Sequence, residues 1–519
     1  LKPVHTLATE LLRKVHRSDE YKGQNAMQVF LGIHTNNLEW NIEPMIAIPN
    51  SEIAKKLNLP EGEKYACIQD FITIDNQYVL ENEVAAAQQK KPALQSKFDK
   101  DVLKVDERFN IMLGVFTGYY FKVFPISNDS TNTWYSPFDP AAKFNAEEAE
   151  IIDIIMRGYF QGVEEGYVTG NWSNADLALT ALSKYQEKTA PASIMPSEQS
   201  IEWEIAYNKM NLFKRLNTVY LSLGFILLVL NFISLFTKSE WMKWPLRIGA
   251  YLFGIAFILH GLGLGMRWYL SGHAPWSNGY EAVVFIAFIT VLAGLIFYKQ
   301  NKIVLAATGI LAWLMLFVAH MNSMDPEITN LVPVLKSYWL MIHVAVITGS
   351  YGFLGLAAIL ALVNIFLFIS GNGKNRSIIH LTTKQLTYVI EMTIIIGLFM
   401  LTIGTFLGGV WANESWGRYW GWDAKETWAL ASVLIYAIIL HFRFIPGFKS
   451  MFAMNVAALW GYSTIIMTFF GVNFYLSGLH SYAQGDPVPI PAWIPVTVFV
   501  LFVITVLSYL RYRQLFKNQ

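Results

Sequence analysis

Cysteine is nearly absent from this chain: its 519 residues include one, Cys67. A single thiol excludes an intrachain disulfide framework, a CxxC redox pair and a thiolate metal cluster. Charge is scarce too. Only 15% of the residues are Asp, Glu, Lys or Arg, and the net charge of +1 singles out no class of partner. No nucleic-acid partner is expected. Apolar side chains make up 54% of the sequence, too much for an ordinary soluble protein and suited to a multispan membrane protein with a soluble portion. The chain opens on Leu1 rather than Met and carries no visible signal peptide. A fragment or processed product, with sequence missing upstream, is expected.

The polar residues are not spread evenly. Residues 1–210 are polar and mixed, and read as a soluble domain that is mixed α/β or mainly helical. Within it "HTLATELLRKVHR" and "AEEAEIIDIIMRGYFQGVEEGY" have helical spacing, and "YACIQDFITI" reads as a strand or a buried run. Pro191 and Pro196, among small polar residues in "EKTAPASIMPSEQS", mark a linker over 187–200. From about residue 217 apolar runs recur, at 217–236, 247–266, 280–298, 303–320, 339–369, 389–410, 428–445, 452–476 and 492–510. About 20 apolar residues cross a bilayer core as a helix. The expected fold class is therefore an all-α polytopic membrane protein with about nine transmembrane helices and an N-terminal extracytoplasmic domain. The partition is 1–210, then 211–245 for the first transmembrane helix and its inner loop, then 246–519 for the remaining membrane domain.

Orientation follows from Lys and Arg in the short loops. One set of connections carries Lys238, Lys243, Arg247, Lys299, Lys302, Lys374, Arg376, Lys384, Arg443, Lys449, Arg511, Arg513 and Lys517; the opposite set carries Arg267, Lys336, Arg418 and Lys425. The first set is assigned to the cytoplasm. Lys209, Lys214 and Arg215 dissent, and weigh less because a large preceding domain is translocated despite its charge. The soluble domain and the loop between runs six and seven then face outward, to the periplasm in a bacterium.

That loop holds the densest aromatic cluster in the sequence, "ESWGRYWGWDAKETW" (414–428). Trp416, Trp420, Trp422 and Trp428 are threaded with Arg418, Asp423, Lys425 and Glu426. Interfacial indole belts are common, but a belt needs neither the charges nor the intervening glycines. A platform for a flat apolar ligand needs both. His343 lies near the outer end of the fifth run and His480 just past the outer end of the eighth, so two imidazoles share the depth of the platform. Two neutral imidazoles can close the axial positions of haem iron, and indole suits a porphyrin face. His441 sits deeper, about 20 Å below the outer surface at 1.5 Å per residue, where an ionisable group is a functional candidate. His260, His273 and His320 read as structural; His5, His16, His34 and His380 as solvated.

These residues resemble a known family. "WGRYWGWDAKETW" is similar to the WWD signature of haem-handling membrane proteins. "LVPVLKSYWLMIHV", "GVNFYLSGLHSYA", "SGHAPWSNGYEAVVF" and "LHFR" resemble segments of the CcsA (ResC) family of System II cytochrome c biogenesis. Residues 245–510 carry this resemblance, with the WWD segment at 411–428; the first span and soluble domain look like the end of the CcsB half of a CcsBA fusion. The resemblance implies haem export and covalent attachment of haem to an apocytochrome c at CxxCH, thiol to vinyl, by a holocytochrome c synthase (haem lyase). It implies a transient, non-covalent b-type haem. His343 and His480 would be the outer iron ligands, and Trp416, Trp420, Trp422, Asp423 and Trp428 the cradle and reaction surface. Arg418 would bind a propionate, and His441 would ligate an inner haem whose partner histidine the family places in an early CcsB span that this sequence does not contain. Implied partners are the apocytochrome, haem, a CcsB-like membrane segment or subunit, and thiol-reducing proteins; the implied location is the bacterial inner membrane. A haem chaperone that makes no bonds, and a membrane di-haem electron-transfer protein, remain alternatives.

Overall fold

The computed structural model describes all residues except 91–94, 128, 130, 140–141, 143, 238–239, 322–323, 325, 332–334, 477, 479–489, 491 and 517–519. The chain divides into two compact units, Leu1–Asn208 and Lys209–Gln519.

The first unit is mainly helical. Its helices are α1 (Val4–His16), α2 (Ala26–Thr35), α3 (Asn37–Trp40), α4 (Ser51–Lys56), α5 (Glu81–Gln89), α6 (Lys97–Phe116), α7 (Ala146–Thr169) and α8 (Ser173–Thr189). Asn25, Ser96 and Asn145 start α2, α6 and α7 with reciprocal capping boxes to Gln28, Asp99 and Glu148, which satisfies backbone donors the helices leave open. Three antiparallel pairs punctuate the helices: β1 (Glu20–Tyr21) with β2 (Gln24–Asn25), β3 (Ile46–Ala47) with β4 (Tyr65–Ala66), and β5 (Phe124–Pro125) with β6 (Trp134–Tyr135). "YACIQDFITI", expected as one strand or buried run, gives only the two-residue β4, a 3₁₀ turn at Gln69–Phe71 and a bridge from Ile72 to Tyr78. Its apolar residues serve a helical core rather than a sheet: Ala66, Ile68 and Phe71 are buried with Val102, Val105 and Phe109 of α6.

His16 and His34, expected in solvent, are half-buried. His16 Nδ1 lies 3.1 Å from the Met45 carbonyl. His34 Nδ1 lies 2.7 Å from the Phe30 carbonyl, and its ring packs among Phe30, Phe121 and Phe160. Burial pulls the His34 pKa below its usual value, and the Phe30 carbonyl partly offsets this.

Helix α9 (Glu198–Met210) precedes the membrane helices: α10 (Leu212–Phe236), α11 (Lys243–Ser271), α12 (Gly279–Phe297), α13 (Ile303–Ala319), α14 (Tyr338–Ser370), α15 (Arg376–Trp416), α16 (Ala424–His441), α17 (Met451–Ile466), α18 (Val472–Tyr475) and α19 (Trp493–Phe516). A π-turn, Met467–Gly471, joins α17 to α18. Each of the nine apolar runs is helical. Among the described residues eight helices are long and apolar enough to cross a membrane, and α13 is a shorter apolar helix of 17 residues. The chain is a multi-pass membrane protein.

Helix α14 is the hub, packing along α12, α15 and α17. Its core includes Leu354, Leu360, Leu386, Ile390 and Tyr436. Two buried amides inside the bundle bond to one another and to a threonine, as hydrocarbon surroundings favour: Asn364 Nδ2 donates to Asn455 Oδ1 at 2.8 Å, and Asn455 Nδ2 donates to Thr387 Oγ1 at 2.8 Å. Large apolar residues such as Phe399, Phe406, Leu434, Ile438 and Phe499 face outward, which suits lipid.

Candidate functional site

The tryptophan segment is built by two helix ends. Helix α15 stops at Trp416, and α16 starts with Asp423 as its N-cap. The Asp423 carboxylate accepts from the Lys425 N–H at 3.3 Å. Glu426, one turn in, reaches back: its Oε2 accepts from Gly421 N at 2.8 Å and from Asp423 N at 3.2 Å. Those two donors flank Trp422, whose φ of 57° is left-handed. For a bulky residue this costs about 1–3 kcal/mol, and the carboxylate on either side holds it there. Asp423 and Glu426 thus shape the backbone of the segment.

Trp422 is 70% exposed, and its ring meets Trp420 edge-on at 5.8 Å. Trp411, on the last turns of α15, is 1% exposed; Trp416 packs edge-on against it at 4.7 Å, and the His343 ring lies parallel to it at 6.5 Å.

His343 sits five residues into α14, at the end of the bundle that carries the tryptophans. Its Nδ1 is 2.7 Å from the Gly404 carbonyl. A carbonyl only accepts, so Nδ1 carries the proton and the ring's lone pair is on Nε2, the arrangement of a metal-binding imidazole. Helix α15 comes close enough for this because position 408 has no side chain: a Cβ on Gly408 would stand 2.7 Å from His343 Cε1.

Around His343 lies a cavity of about 1060 Å³, just above the usual range for organic ligand sites, about 300–1,000 Å³. Its walls are the 271–279 segment with His273 and Trp276, the start of α14 with Met341 and His343, and Thr405, Gly408 and Trp411 of α15. Trp420, Lys425 and Glu426 close one side, and the π-turn residues Thr468, Phe469 and Phe470 with Asn473 another. π-turns often mark functional sites. The 271–279 wall is anchored by Trp276 Nε1, which donates to the Met341 carbonyl at 3.0 Å. A buried ion pair backs it: Arg267 Nε donates to Glu281 Oε1 at 2.7 Å, with side-chain exposures of 2% and 0%. The same guanidinium donates to the Pro326 and Glu327 carbonyls at 2.8 and 3.1 Å.

Of the residues singled out in the sequence, the cavity gathers His343, Trp420, Lys425 and Glu426. Asp423 is buried behind it as a helix cap; Trp416, Trp422 and Trp428 lie outside its lining, and so does Arg418, which is exposed and folded over Gly421. His441 ends α16, about 24 Å along the helix from Lys425 at 1.5 Å per residue; it is exposed, with Nδ1 2.7 Å from the Ala437 carbonyl. His480 lies outside the described residues. Gly478, two positions earlier, presses on the Asp423 carboxylate so closely that a Cβ has no room. Sequence reasoning missed Trp411 and Trp276 as lining residues, though each stood within or beside a quoted motif. His273, read as structural, also lines the cavity; its ring nitrogens lie 3.2 and 3.4 Å from the Ala274 and Thr329 carbonyls.

The family described as Cytochrome C assembly protein matches residues 276–480, a span from Trp276 to His480 that holds most of the cavity's lining. Protein NrfI of Wolinella succinogenes is 39% identical over 505 residues, covering 94% of this chain and 53% of that protein. The chain thus spans about half of NrfI's length. Cytochrome c biogenesis protein CcsA of Cyanophora paradoxa is 33% identical over 313 residues, covering 51% of this chain and 96% of that protein. Among solved structures, Cytochrome c Heme Lyase CcmF aligns with a TM-score of 0.41 and 14% identity over 59% of this chain and 51% of that one.

Proposed function

Because this chain belongs to the CcsA family of cytochrome c biogenesis proteins, we propose that its cavity holds haem and presents it to apocytochrome c for covalent attachment. The observation that carries this reading is the cavity itself: about 1060 Å³, walled by Trp411 and Trp420, with His343 fixed in the tautomer that offers Nε2. A porphyrin brings two apolar faces, a central iron and a carboxylate edge. Indole rings match the faces, an imidazole matches the iron, and a cation matches the edge.

Attachment adds each client thiol across a haem vinyl group. Sulfur bonds to one vinyl carbon, the thiol proton ends on the other, and no electrons are gained or lost. Such an addition needs placement above all, since holding both partners in register makes a bimolecular step effectively unimolecular. Trp420 and Trp411 would set the ring plane, and His343 the height and rotation of the iron. Asp423 and Glu426 would serve indirectly, by fixing the backbone that carries Trp420. His480 is proposed as the second axial ligand. His441, at the opposite end of α16, is proposed to meet haem on its way in. By the distribution of Lys and Arg, the cavity end faces outward from a bacterial inner membrane.

His343→Ala tests the reading. Purified wild-type protein from haem-replete cells is expected to show a Soret band. The variant should lose most of its haem and stop maturing a co-expressed CxxCH client, and added imidazole should restore part of both by filling the vacated axial position. Normal haem content and normal holocytochrome yield in His343→Ala would remove this histidine, and with it the site, from the mechanism.

A further inference from the structure

Among the described residues, three charged side chains line the cavity: Lys336, Lys425 and Glu426. Glu426 already receives two backbone N–H groups through Oε2. Lys336 is exposed at the rim. Lys425, in the first turn of α16, is half-buried, and its ammonium forms no ion pair with a carboxylate among the described residues. Glu426, the adjacent residue, is held by those backbone groups, and Asp423, whose charge favours the ammonium, uses Oδ2 to cap the Lys425 backbone N–H. A cation drawn into a largely apolar cavity is costly unless an anion meets it there. The guanidinium suited in principle to that role, Arg418, lies folded over Gly421 outside the lining.

We propose that Lys425 recognises a carboxylate of the ligand: its ammonium binds a haem propionate inside the cavity. This rests on reading the cavity as a haem site, and it adds which edge of the porphyrin goes where. Haem carries its two carboxylates together on one edge, with its vinyl groups on the far side of the ring. A propionate held at Lys425 seats the carboxylate edge against the start of α16 and turns the vinyl edge away from it. The ring's rotation in its plane, which His343 alone leaves open, is then set by a charge-assisted hydrogen bond. Lysine acts here as a point charge able to follow either carboxylate oxygen.

The test compares haem b with its dimethyl ester, in which both carboxylates are neutralised. Each is titrated into the full-length protein, purified in detergent without haem, and followed at the Soret band. Wild type should bind haem b roughly ten- to a hundredfold more tightly than the ester, the scale of one hydrogen bond to a charged group. Lys425→Gln should cut that preference to within about twofold while binding the ester as wild type does. Lys425→Arg, which keeps the charge, should retain the preference. If Lys425→Gln discriminates as well as wild type, or if wild type shows no preference, the assignment of Lys425 is wrong and the haem site stands. If wild type binds neither porphyrin, the haem-site reading itself fails.

Discussion

At the scale of single residues, the tryptophan segment separates roles that its sequence presents together. Trp420 faces the cavity, and the exposed Trp422 supports it from outside at 5.8 Å. Trp422 is held at a φ of 57° by one carboxylate bonded to the N–H groups on both sides. Removing that carboxylate should therefore act on haem without touching it. In Glu426→Ala the loss of hydrogen bonds to a charged acceptor is about 2 kcal/mol, enough to loosen the 417–423 turn. Haem per protein should fall several-fold and the turn should become easier to cleave by protease. Glu426→Gln, which keeps an oxygen acceptor, should recover most of both. Wild-type haem content and wild-type cleavage in Glu426→Ala would show that the turn holds its shape without this residue.

At the scale of elements, the site depends on how closely α15 approaches α14. Glycine at 408 lets the His343 ring lie against the α15 backbone while its Nδ1 reaches the carbonyl at 404. A side chain at 408 must push the ring away or push the helices apart. Both helices share a tightly packed core with Leu354 and Leu401 fully buried, so displacement of the ring is cheaper than separation of the helices. Gly408→Val is thus expected to leave membrane insertion and abundance normal, yet to lower haem retention at least about tenfold, because a misplaced ligand of about 1 Å already costs on that scale. The absorption spectrum should show a changed axial ligand in the haem that remains. An unaltered spectrum with full occupancy would mean that His343 does not need the position it takes here.

At the scale of the whole molecule, the arrangement requires that the cavity and the basic loops lie on opposite sides of the membrane. The near absence of cysteine makes this direct to measure. Replacing Cys67 by Ser leaves a thiol-free chain, into which one cysteine can be returned at Lys336 on the cavity rim or at Lys374 in the loop between α14 and α15. A membrane-impermeant maleimide applied to intact spheroplasts should label Lys336→Cys and spare Lys374→Cys until the cells are lysed. The reverse pattern would invert the orientation and put the cavity on the cytoplasmic side, where outward presentation of haem fails.

The sequence by itself located the apolar helices, because an apolar run of about 20 residues in hydrocarbon has little choice but to bond its own backbone; it did not set their lengths, since α15 extends over Arg376–Trp416 through polar residues on both sides of the apolar run at 389–410. It also placed His343 near the start of its helix, since distance along a helix follows directly from residue count. The helix start at Asp423 was legible too, as Asp three residues before Glu is a capping pattern; reading Asp423 as part of the haem cradle overlooked the backbone's prior claim on its carboxylate. Which side chains share the cavity was decided only by tertiary structure. Helices α12, α13 and α14 are apolar on every face, so their periodicity carries no signal for which face meets a neighbour. Trp411 and Trp276, near in space to His343 and far from it in sequence, became lining residues through that packing. The placement of Arg418 and Lys425 was decided in the same way: the left-handed turn at Trp422 and the start of α16 leave Arg418 outside the lining and bring Lys425 into it, and no spacing rule distinguishes two basic residues seven positions apart.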